Sequence, residues 1–318
     1  MAKMAADAKI FVAGHSGLVG SAIMRALRAN GYSNLIVGGR SKVDLTRQSE
    51  VEAFFESEKP DYVFLAAAKV GGIHANQTFP AEFIYQNMMI AANVIEAAWR
   101  NDCEKLLYLG SSCIYPRLAP QPIPESALLT STLEPTNEPY AIAKIAGLKL
   151  CEYYRKQYGF DAISLMPTNL YGPGDNFDLE HSHVIPALMR KAHEAKMMGA
   201  PAMVVWGTGA PRREFLHVDD LADAALHLME HYSEATTINV GVGKDVTIKE
   251  LVAIICDVVG FEGELEFDTS RPDGTPQKML DIARLRSIGW TPNIELRDGL
   301  ATTYAWFLEN IDQLRAAE

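Results

Sequence analysis

Short apolar runs alternate with amphipathic segments through the first half of the chain. The apolar runs predict β-strands at Lys9–Ala13, Asn34–Val37, Asp61–Leu65, Lys105–Leu109 and Ala162–Leu165. The amphipathic segments predict helices at Leu18–Ala29, Val51–Glu58, Pro80–Arg100 and Tyr140–Tyr158. Near-continuous apolar strands that alternate with helices are typical of a parallel sheet covered on both faces. The pattern therefore predicts an α/β fold built on a Rossmann-type, doubly wound parallel sheet.

The pattern becomes looser in the second half of the chain. Short apolar runs at Ala202–Trp206, Ile238–Val240 and Leu265–Phe267 lie among loops, and a capping box at Thr247–Glu250 opens a further helix. This half predicts a smaller, mixed α/β C-terminal lobe that binds substrate. We expect a larger domain and a substrate-binding domain, formed by residues 1–168 with 218–245 and by residues 169–217 with 246–318, respectively.

A proline-rich stretch interrupts this organisation between Pro116 and Pro139. It carries six prolines in 24 residues. A loop of that length inside a compact domain is usually functional. We expect it to form a wall or lid over the active site.

Composition and charge narrow the range of functions. Of the 318 residues, 48% are hydrophobic and 22% are charged, which is ordinary for a globular protein. The formal net charge of −11 argues against a general nucleic-acid partner, because phosphate binding needs a basic surface. A polyanionic nucleotide would have to be held by a few local cations and by backbone N–H groups.

The N-terminal segment and the cysteines favour a reducing compartment. No leader-like apolar segment and no stretch that could span a bilayer are present, so we expect a cytoplasmic protein without a membrane partner. The four cysteines show no C-x-x-C spacing, which predicts neither a disulfide framework nor a metal site. Cys103, Cys151 and Cys256 have apolar neighbours and are expected to be small buried residues.

A glycine-rich turn follows the first predicted strand and opens the first helix. Gly14, Gly17 and Gly20 recur at every third position. Glycines at this spacing permit a tight turn and a close approach of the backbone to a diphosphate at the helix N-terminus. In its strand–turn–helix context, the motif predicts a dinucleotide site.

The end of the second strand bears on which dinucleotide binds. An NAD site usually places an acidic side chain there, whereas this chain has Arg40, which suits a 2′-phosphate. The sequence therefore favours NADP over NAD. A solvated loop arginine is the alternative interpretation.

Tyr140 and Lys144 form a Y-x-x-x-K motif near the start of a helix, so both side chains project from one face. We expect the Lys144 ammonium to lower the pKa of the Tyr140 phenol from its usual value of about 10 and suit it to acid–base catalysis. Ser111, at a strand end, would hydrogen-bond the reacting oxygen. Together with the glycine turn, this set resembles the short-chain dehydrogenase/reductase family.

Cys113 lies two positions beyond Ser111. In an extended segment, positions i and i+2 share a face, so the thiol would point where the hydroxyl points. Strand ends in this architecture face the ligand crevice. A buried structural cysteine is the alternative.

Further blocks along nearly the whole chain resemble the GDP-L-fucose-forming, extended members of that family, in their plant-type form. They include Ala66–Ile73, Ser111–Pro116, Glu134–Tyr140, Met166–Gly172, Asn176–Phe177, Ser182–Leu188, Arg213–Asp220 and Arg271–Pro276. The resemblance implies a bifunctional enzyme that epimerises GDP-4-keto-6-deoxy-D-mannose at C3 and C5 and then reduces the C4 ketone with NADPH.

The resemblance also implies roles for individual residues. Cys113 and His183 would form the acid–base pair of the epimerisation, although His183 judged by its neighbours alone is an ordinary loop histidine like His181, His193 or His217. The catalytic set would be Ser111, Cys113, Tyr140, Lys144 and His183. The larger domain would bind NADP(H) through Gly14, His15, Ser16, Gly17, Leu18, Val19, Gly20, Arg40, Leu109, Gly110, Ser111, Ser112, Lys144, Pro167, Thr168, Asn169, Leu170 and His183.

Four further residues would contact the GDP-linked sugar by the same resemblance. Lys191 and Arg213 would pair with the diphosphate, Trp206 would pack on the nucleotide or sugar, and Asp273 would accept sugar hydroxyls. A homodimer through the helices at Pro80–Arg100 and Tyr140–Tyr158 is also implied.

One position departs from the family pattern. Relatives often carry arginine in the glycine turn where this chain has Ser16, and that arginine would help to bind the 2′-phosphate. Arg40 would then contribute more of the NADP preference, and we expect the selectivity to be looser.

Two alternatives compete with this interpretation. The first is another nucleotide-sugar enzyme of the family, a 4-epimerase or a 4,6-dehydratase, but a dehydratase would carry an acidic pair after the serine where this chain has Ser112 and Cys113. The second is an inactive NADP(H)-binding sensor, which the joint presence of the five catalytic residues argues against.

Overall fold

A six-stranded parallel sheet lies at the centre of the fold. The protein is described by a computed structural model that covers residues 3–39, 41–178, 182–271 and 273–316. Its strands are β1 (Ile10–Ala13), β2 (Leu35–Ile36), β3 (Tyr62–Leu65), β4 (Lys105–Leu109), β5 (Asp161–Pro167), β6 (Asn169–Tyr171), β7 (Ala202–Trp206), β8 (Arg212–Arg213), β9 (Phe215–His217), β10 (Ile238–Val240), β11 (Val246–Thr247), β12 (Glu264–Asp268) and β13 (Gln277–Lys278). The central sheet has the order β10-β5-β4-β3-β1-β2, and each neighbouring pair is parallel.

Helices flank this sheet, which confirms the predicted Rossmann-type, doubly wound α/β fold. They are α1 (Leu18–Ala29), α2 (Gln48–Glu58), α3 (Ile73–Thr78), α4 (Pro80–Arg100), α5 (Glu138–Tyr158), α6 (Val184–Met197), α7 (Val218–His231), α8 (Ile248–Val259), α9 (Ala283–Ser287) and α10 (Leu296–Ala316). Helix α1 packs on α7, and α4 packs on α2 and α5. The predicted bounds of α1, α4 and β4 are confirmed, whereas α5 begins two residues earlier than predicted, with Pro139 in its first turn, where a missing N–H costs little. Across the described residues, every helix is too short or too polar to traverse a lipid bilayer.

The buried hydrophobic side chains form two clusters. The first surrounds the central sheet and includes Phe64. The second includes Ile255 on α8 and Phe307 on α10. Leu280 and Trp290 pack in the first cluster, although they fall in the predicted substrate-binding domain. The division into two domains at the predicted boundaries stays a prediction.

The remaining strands pair in smaller sheets with the orders β11-β8-β13, β12-β7 and β6-β9. Thr247 and Glu250 form the predicted reciprocal capping box at the start of α8. The parallel pairing of β13 with β8 sets Lys278 beside Arg213. This small sheet thereby carries two cations to the same region of the molecule.

The proline-rich stretch is packed into the fold over much of its length. Ile123 is buried and forms a β-bridge with Leu280, and the Asn239 side-chain amide donates to the Ile123 carbonyl at 2.9 Å. Within this fully described stretch, Asn137 alone lines the main cavity. Asn137 therefore supplies a part of the wall, and the expectation of a lid is wrong, because the rest of the stretch does not line the cavity and Ile123 and Ala127 are buried in the core.

The topology places a large cavity at one edge of the central sheet. The chain crosses from β1 to β2 on one side and to β3 on the other, so the strand order reverses at β1. Ligands bind in the crevice at the carboxyl ends of the strands at such a reversal. A cavity of about 850 Å³ lies there, lined by the segments that follow β1, β3, β4 and β5.

Candidate active site

The cavity brings together almost all of the predicted cofactor and catalytic residues. Every predicted cofactor residue that the structure describes lies on its wall, as do the predicted catalytic residues Ser111, Cys113, Tyr140, Lys144 and His183. Arg40, like His181, lies outside the described residues. The wall also includes residues that the sequence interpretation did not assign to the site, among them Asn76, Arg47 and Asn137.

The glycine turn at the start of α1 has the shape that a diphosphate requires. Gly14 has a φ of +84°, in the left-handed region. A Cβ on Gly20 would lie 2.0 Å from the Gly14 carbonyl oxygen, so the helix can approach the turn this closely with glycine alone. Gly17 caps α1 without a side-chain hydrogen bond. The first N–H groups of α1 thus stay available to an anion, and the turn fits a dinucleotide.

The far end of the cavity is lined by the segment that follows β2. Gly38, Gly39, Asp44 and Arg47 contribute to this wall. Ser16, in the glycine turn, also lines the cavity and supplies a hydroxyl but no charge. Arg47 therefore places a positive charge on this part of the cavity wall, and no feature of the sequence had pointed to it.

Lys144 is held in place by β4. It is 4% exposed, and its ammonium donates to the Leu109 carbonyl at 2.7 Å. The ammonium also lies 5.0 Å from the ring centre of Tyr108 and 5.8 Å from that of Tyr140. Burial lowers the pKa of Lys144 to about 8. The side chain is thus a cation near neutrality whose position is fixed by a backbone carbonyl.

Tyr140 is more firmly protonated than the sequence had suggested. Burial raises the pKa of its phenol above the ordinary value, the Cys113 sulfur adds to this, and a hydrogen bond with Ser111 opposes it. The expected lowering of this pKa by Lys144 is wrong, because the ammonium faces the ring and the Leu109 carbonyl. Tyr140 is therefore a neutral phenol, the form that can donate a proton.

Ser111 and Cys113 meet through a tight turn. The segment Ser112–Ile114 forms a 3-10 turn, and the Cys113 N–H donates to the Ser111 hydroxyl oxygen at 3.2 Å. The prediction of an extended segment here is wrong, since the turn satisfies this N–H locally. Both side chains nevertheless line the cavity, as predicted.

Cys113 has a cationic neighbour that the sequence interpretation missed. The Lys278 ammonium on β13 donates to the Cys113 sulfur at 3.4 Å. Burial alone would raise the pKa of this thiol, but Lys278 together with hydrogen bonds to Ser111 and Asn137 brings it below its ordinary value. Lys278 lies 165 residues away in the chain, and no spacing rule links two such distant positions.

His183 caps the N-terminus of α6 and faces the same cavity. Burial lowers the pKa of its imidazole. Two other histidines with similar sequence surroundings lie elsewhere: His193 is within 3.0 Å of the Tyr304 hydroxyl, and His217 stacks edge-on against Tyr171.

Trp206 and Lys191 meet outside the cavity wall. The Lys191 ammonium lies 4.4 Å from the Trp206 ring centre, and the Arg271 guanidinium lies 5.0 Å from it. Trp206 is 57% exposed. An exposed aromatic ring beside two cations can stack on a flat ring while the cations pair with phosphate.

Asp273 and Arg213 are also neighbours. The Asp273 carboxylate accepts from the Thr208 N–H at 2.7 Å and from its hydroxyl at 2.8 Å. Burial lowers the pKa of Arg213, while Asp273 and the Cys113 sulfur both favour its charged form. All four predicted substrate residues are described, and none of them lines the main cavity itself.

Known proteins resemble this chain over nearly its full length. Residues 10–241 match the NAD dependent epimerase/dehydratase family. GDP-L-fucose synthase 1 of Arabidopsis thaliana is 63% identical over 305 residues, which cover 96% of this chain and 94% of that relative. GDP-L-fucose synthase of Escherichia coli K12 is 58% identical over 316 residues, which cover 96% and 98% of the two chains. The crystal structure of a GDP-L-fucose synthetase from Naegleria fowleri bound to NADP has a TM-score of 0.90, with 29% identity and coverage of 98% and 97%.

The glycine turn generates a prediction about nucleotide binding. In Gly20→Ala, the new methyl group meets the Gly14 carbonyl, so the turn must shift at a cost of about 1–3 kcal/mol. We expect NADPH to bind about 10- to 100-fold more weakly, measured by nucleotide fluorescence. Ser21→Ala, one residue along the same helix, is the control and should bind normally. Unchanged binding by Gly20→Ala would show that the turn does not hold the nucleotide.

Proposed function

The chain belongs to the NAD dependent epimerase/dehydratase family and, within it, to the GDP-L-fucose synthases, and we propose that it converts GDP-4-keto-6-deoxy-D-mannose to GDP-L-fucose. The reaction is an epimerisation at C3 and C5 followed by an NADPH-dependent reduction at C4. The observation that carries this proposal is a single cavity in which Cys113 and His183 lie with Ser111, Tyr140 and Lys144.

The reduction uses the serine, tyrosine and lysine. When bound, NADPH supplies the hydride that is transferred to C4. The neutral phenol of Tyr140 donates its proton to the C4 oxygen, and Ser111 hydrogen-bonds the same oxygen. Lys144, fixed by the Leu109 carbonyl, provides a cation beside the ring of Tyr140 and would help to hold the nucleotide.

The epimerisation uses the thiol and the imidazole. The C4 ketone acidifies the hydrogens on C3 and C5, so each centre can be inverted through an enolate. The Cys113 thiolate removes a proton from one face of the ring, and His183 returns a proton to the other face. Negative charge on the C4 oxygen is stabilised by Tyr140 and Ser111, the donors that also serve the reduction.

The nucleotide part of the substrate would lie beyond the cavity, on the predicted binding residues. Arg213 and Lys191 would pair with the diphosphate, Trp206 would stack on a ring, and Asp273 would accept hydroxyl groups. The neighbourhood of Trp206 with two cations supports this assignment. The charges of Asp273 and of the Cys113 sulfur both act on Arg213, which supports a link between this region and the reacting centre.

A cytoplasmic location is part of the proposal. The described cysteines are all free, and the chemistry of Cys113 needs a reduced thiol. A reducing compartment keeps such thiols reduced.

Two single substitutions should separate the two half-reactions. Cys113→Ser removes the base, and we expect it to lose proton exchange at C3 and C5 by about 100-fold or more while still reducing an already inverted ketone. Tyr140→Phe removes the proton donor, and we expect it to lose reduction by about 100-fold or more, whereas exchange should fall less because Ser111 still stabilises the enolate. The measurements are deuterium incorporation by NMR without NADPH, and NADPH oxidation with the inverted ketone.

The wild-type protein is the reference for both assays. It should oxidise one NADPH for each GDP-L-fucose formed. No oxidation with GDP-4-keto-6-deoxy-D-mannose would overturn the proposed function. Equal loss of exchange and reduction in Cys113→Ser would overturn the role given to the thiol.

Cofactor preference generates a further prediction. Since Ser16 offers no charge in the glycine turn, Arg40→Ala should reduce the ratio of kcat/KM for NADPH over NADH by about 10-fold or more. Arg28→Ala, an exposed arginine on the far end of α1, is the matched control and should leave the ratio unchanged. If the ratio is as high in Arg40→Ala as in the wild type, Arg40 does not bind the 2′-phosphate.

We also propose a homodimer through α4 and α5. The two helices pack on each other and carry exposed apolar side chains, including Met88, Ile142 and Tyr153. A second copy of the same face would cover them. Exposed apolar patches of this kind mark interaction surfaces.

Light scattering should give twice the mass of one chain. Ile142→Lys places a charge in the proposed interface and should shift the protein toward monomer. Leu118→Lys is the control, because Leu118 is 83% exposed and lies outside both helices. A monomeric wild type, or a dimer that tolerates Ile142→Lys as well as Leu118→Lys, would overturn this interface.

A further inference from the structure

We propose that Lys278 holds Cys113 as a thiolate and thereby makes the sulfur the base for both inversions. Lys278 touches neither the sugar carbonyl nor the nicotinamide in this proposal; it is a positioning residue that acts through the thiol. The chemical consequence rests on the proposed function, whereas the ionisation of Cys113 can be measured without any substrate.

The contact between the two side chains is direct. The Lys278 ammonium lies 3.4 Å from the Cys113 sulfur, within hydrogen-bond distance for sulfur. Lys278 is half-buried, so its charge is only partly screened by water. A cation this close favours the ionised form of a thiol.

The backbone of β13 fixes where the ammonium can lie. Lys278 pairs with Arg213 in the parallel ladder between β13 and β8. On one side of Lys278, the Gln277 side chain donates to the Asp245 carboxylate at 2.6 Å. On the other side, the Met279 N–H donates to the Gln121 side chain at 2.9 Å.

Glu214 anchors the same strand from the protein interior. Its side chain is fully buried, and its carboxylate accepts from the N–H groups of Val242 and Gly243 at 2.6 Å each and from that of Leu280 at 2.9 Å. The Glu214 N–H also donates to the Lys278 carbonyl at 3.3 Å. A buried carboxylate with this many backbone donors makes the strand next to Lys278 rigid.

Other groups near the thiol come from three elements. Tyr140 on α5 is a neutral phenol, and Ser111 and Asn137 contribute neutral hydrogen bonds. Arg213 on β8 is a second cation that interacts with the sulfur, but it also interacts with Asp273. Lys278 is the cation that is hydrogen-bonded to the sulfur.

The proton balance of each inversion follows. The thiolate takes a proton from C3 or C5, which breaks the C–H bond, forms S–H and leaves the electron pair on the enolate. The protonated form of His183, which burial makes less populated, returns a proton to the opposite face and becomes neutral imidazole. Before the second inversion, the thiol loses its proton to solvent and the imidazole regains one. Lys278 favours this loss of the thiol proton, because its charge stabilises the thiolate.

The first experiment measures the ionisation of Cys113 in the substrate-free enzyme. The rate of alkylation by iodoacetamide is followed against pH, and Cys113→Ser gives the background from the three buried cysteines. In Lys278→Met, we expect the midpoint of the rate to move up by about one pH unit or more. Lys278→Arg keeps the charge and should stay close to wild type, and Lys249→Met, at an exposed lysine on α8, should equal wild type. The same midpoint in Lys278→Met and wild type would overturn the proposal.

The second experiment follows deuterium incorporation at C3 and C5 without NADPH. In Lys278→Met, we expect kcat for exchange to fall about 10-fold near neutral pH and to recover at higher pH, since the thiol then ionises unaided. A rise in KM alone, equal at every pH, would mean that Lys278 only holds the substrate and would overturn the proposal. If the wild-type alkylation rate has a lowered midpoint but no exchange is seen, the proposed function is overturned. The effect of Lys278 on the ionisation of Cys113 would still be supported.

Discussion

The parallel register of β1, β3, β4 and β5 is the constraint on which the rest of the site depends. Because all four strands run in one direction, their carboxyl ends meet at a single edge of the sheet. The glycine turn follows β1, Ser111 follows β4, and Thr168 follows β5. Groups that are far apart in the chain therefore face one cavity, and the ladder of backbone hydrogen bonds fixes their spacing.

Burial in that cavity shifts the pKa of each titratable group and so sets its protonation state. It keeps the Tyr140 phenol protonated and thus a proton donor, and it lowers the pKa of Lys144 to about 8. Burial alone would raise the pKa of Cys113, but the Lys278 ammonium, together with hydrogen bonds to Ser111 and Asn137, lowers it below its ordinary value. One desolvated pocket can thus contain a protonated phenol and a thiol whose pKa is lowered, because specific charges and hydrogen bonds override the common effect of burial.

Much of this protein follows from local sequence patterns. The helices at Leu18–Ala29 and Pro80–Arg100 have the predicted bounds, because their apolar periodicity and end signals agree. The glycine turn and the Y-x-x-x-K motif are short enough for their geometry to be set by spacing along one strand–turn–helix unit. The resemblance to known enzymes then supplied His183, which its own neighbours would not have distinguished.

Tertiary structure decided what local patterns could not. Ser112–Ile114 forms a 3-10 turn instead of the expected extended segment. The Lys144 ammonium donates to the Leu109 carbonyl, and the expected lowering of the Tyr140 pKa by Lys144 does not occur. Lys278 reaches Cys113 only because β13 pairs with β8 and is anchored by Glu214. The sequence by itself determined the fold class, the glycine turn and a set of candidate reactive side chains, since each of these is carried by a short local pattern. The protonation states of those side chains depend on burial and on charges that only the folded chain brings into contact.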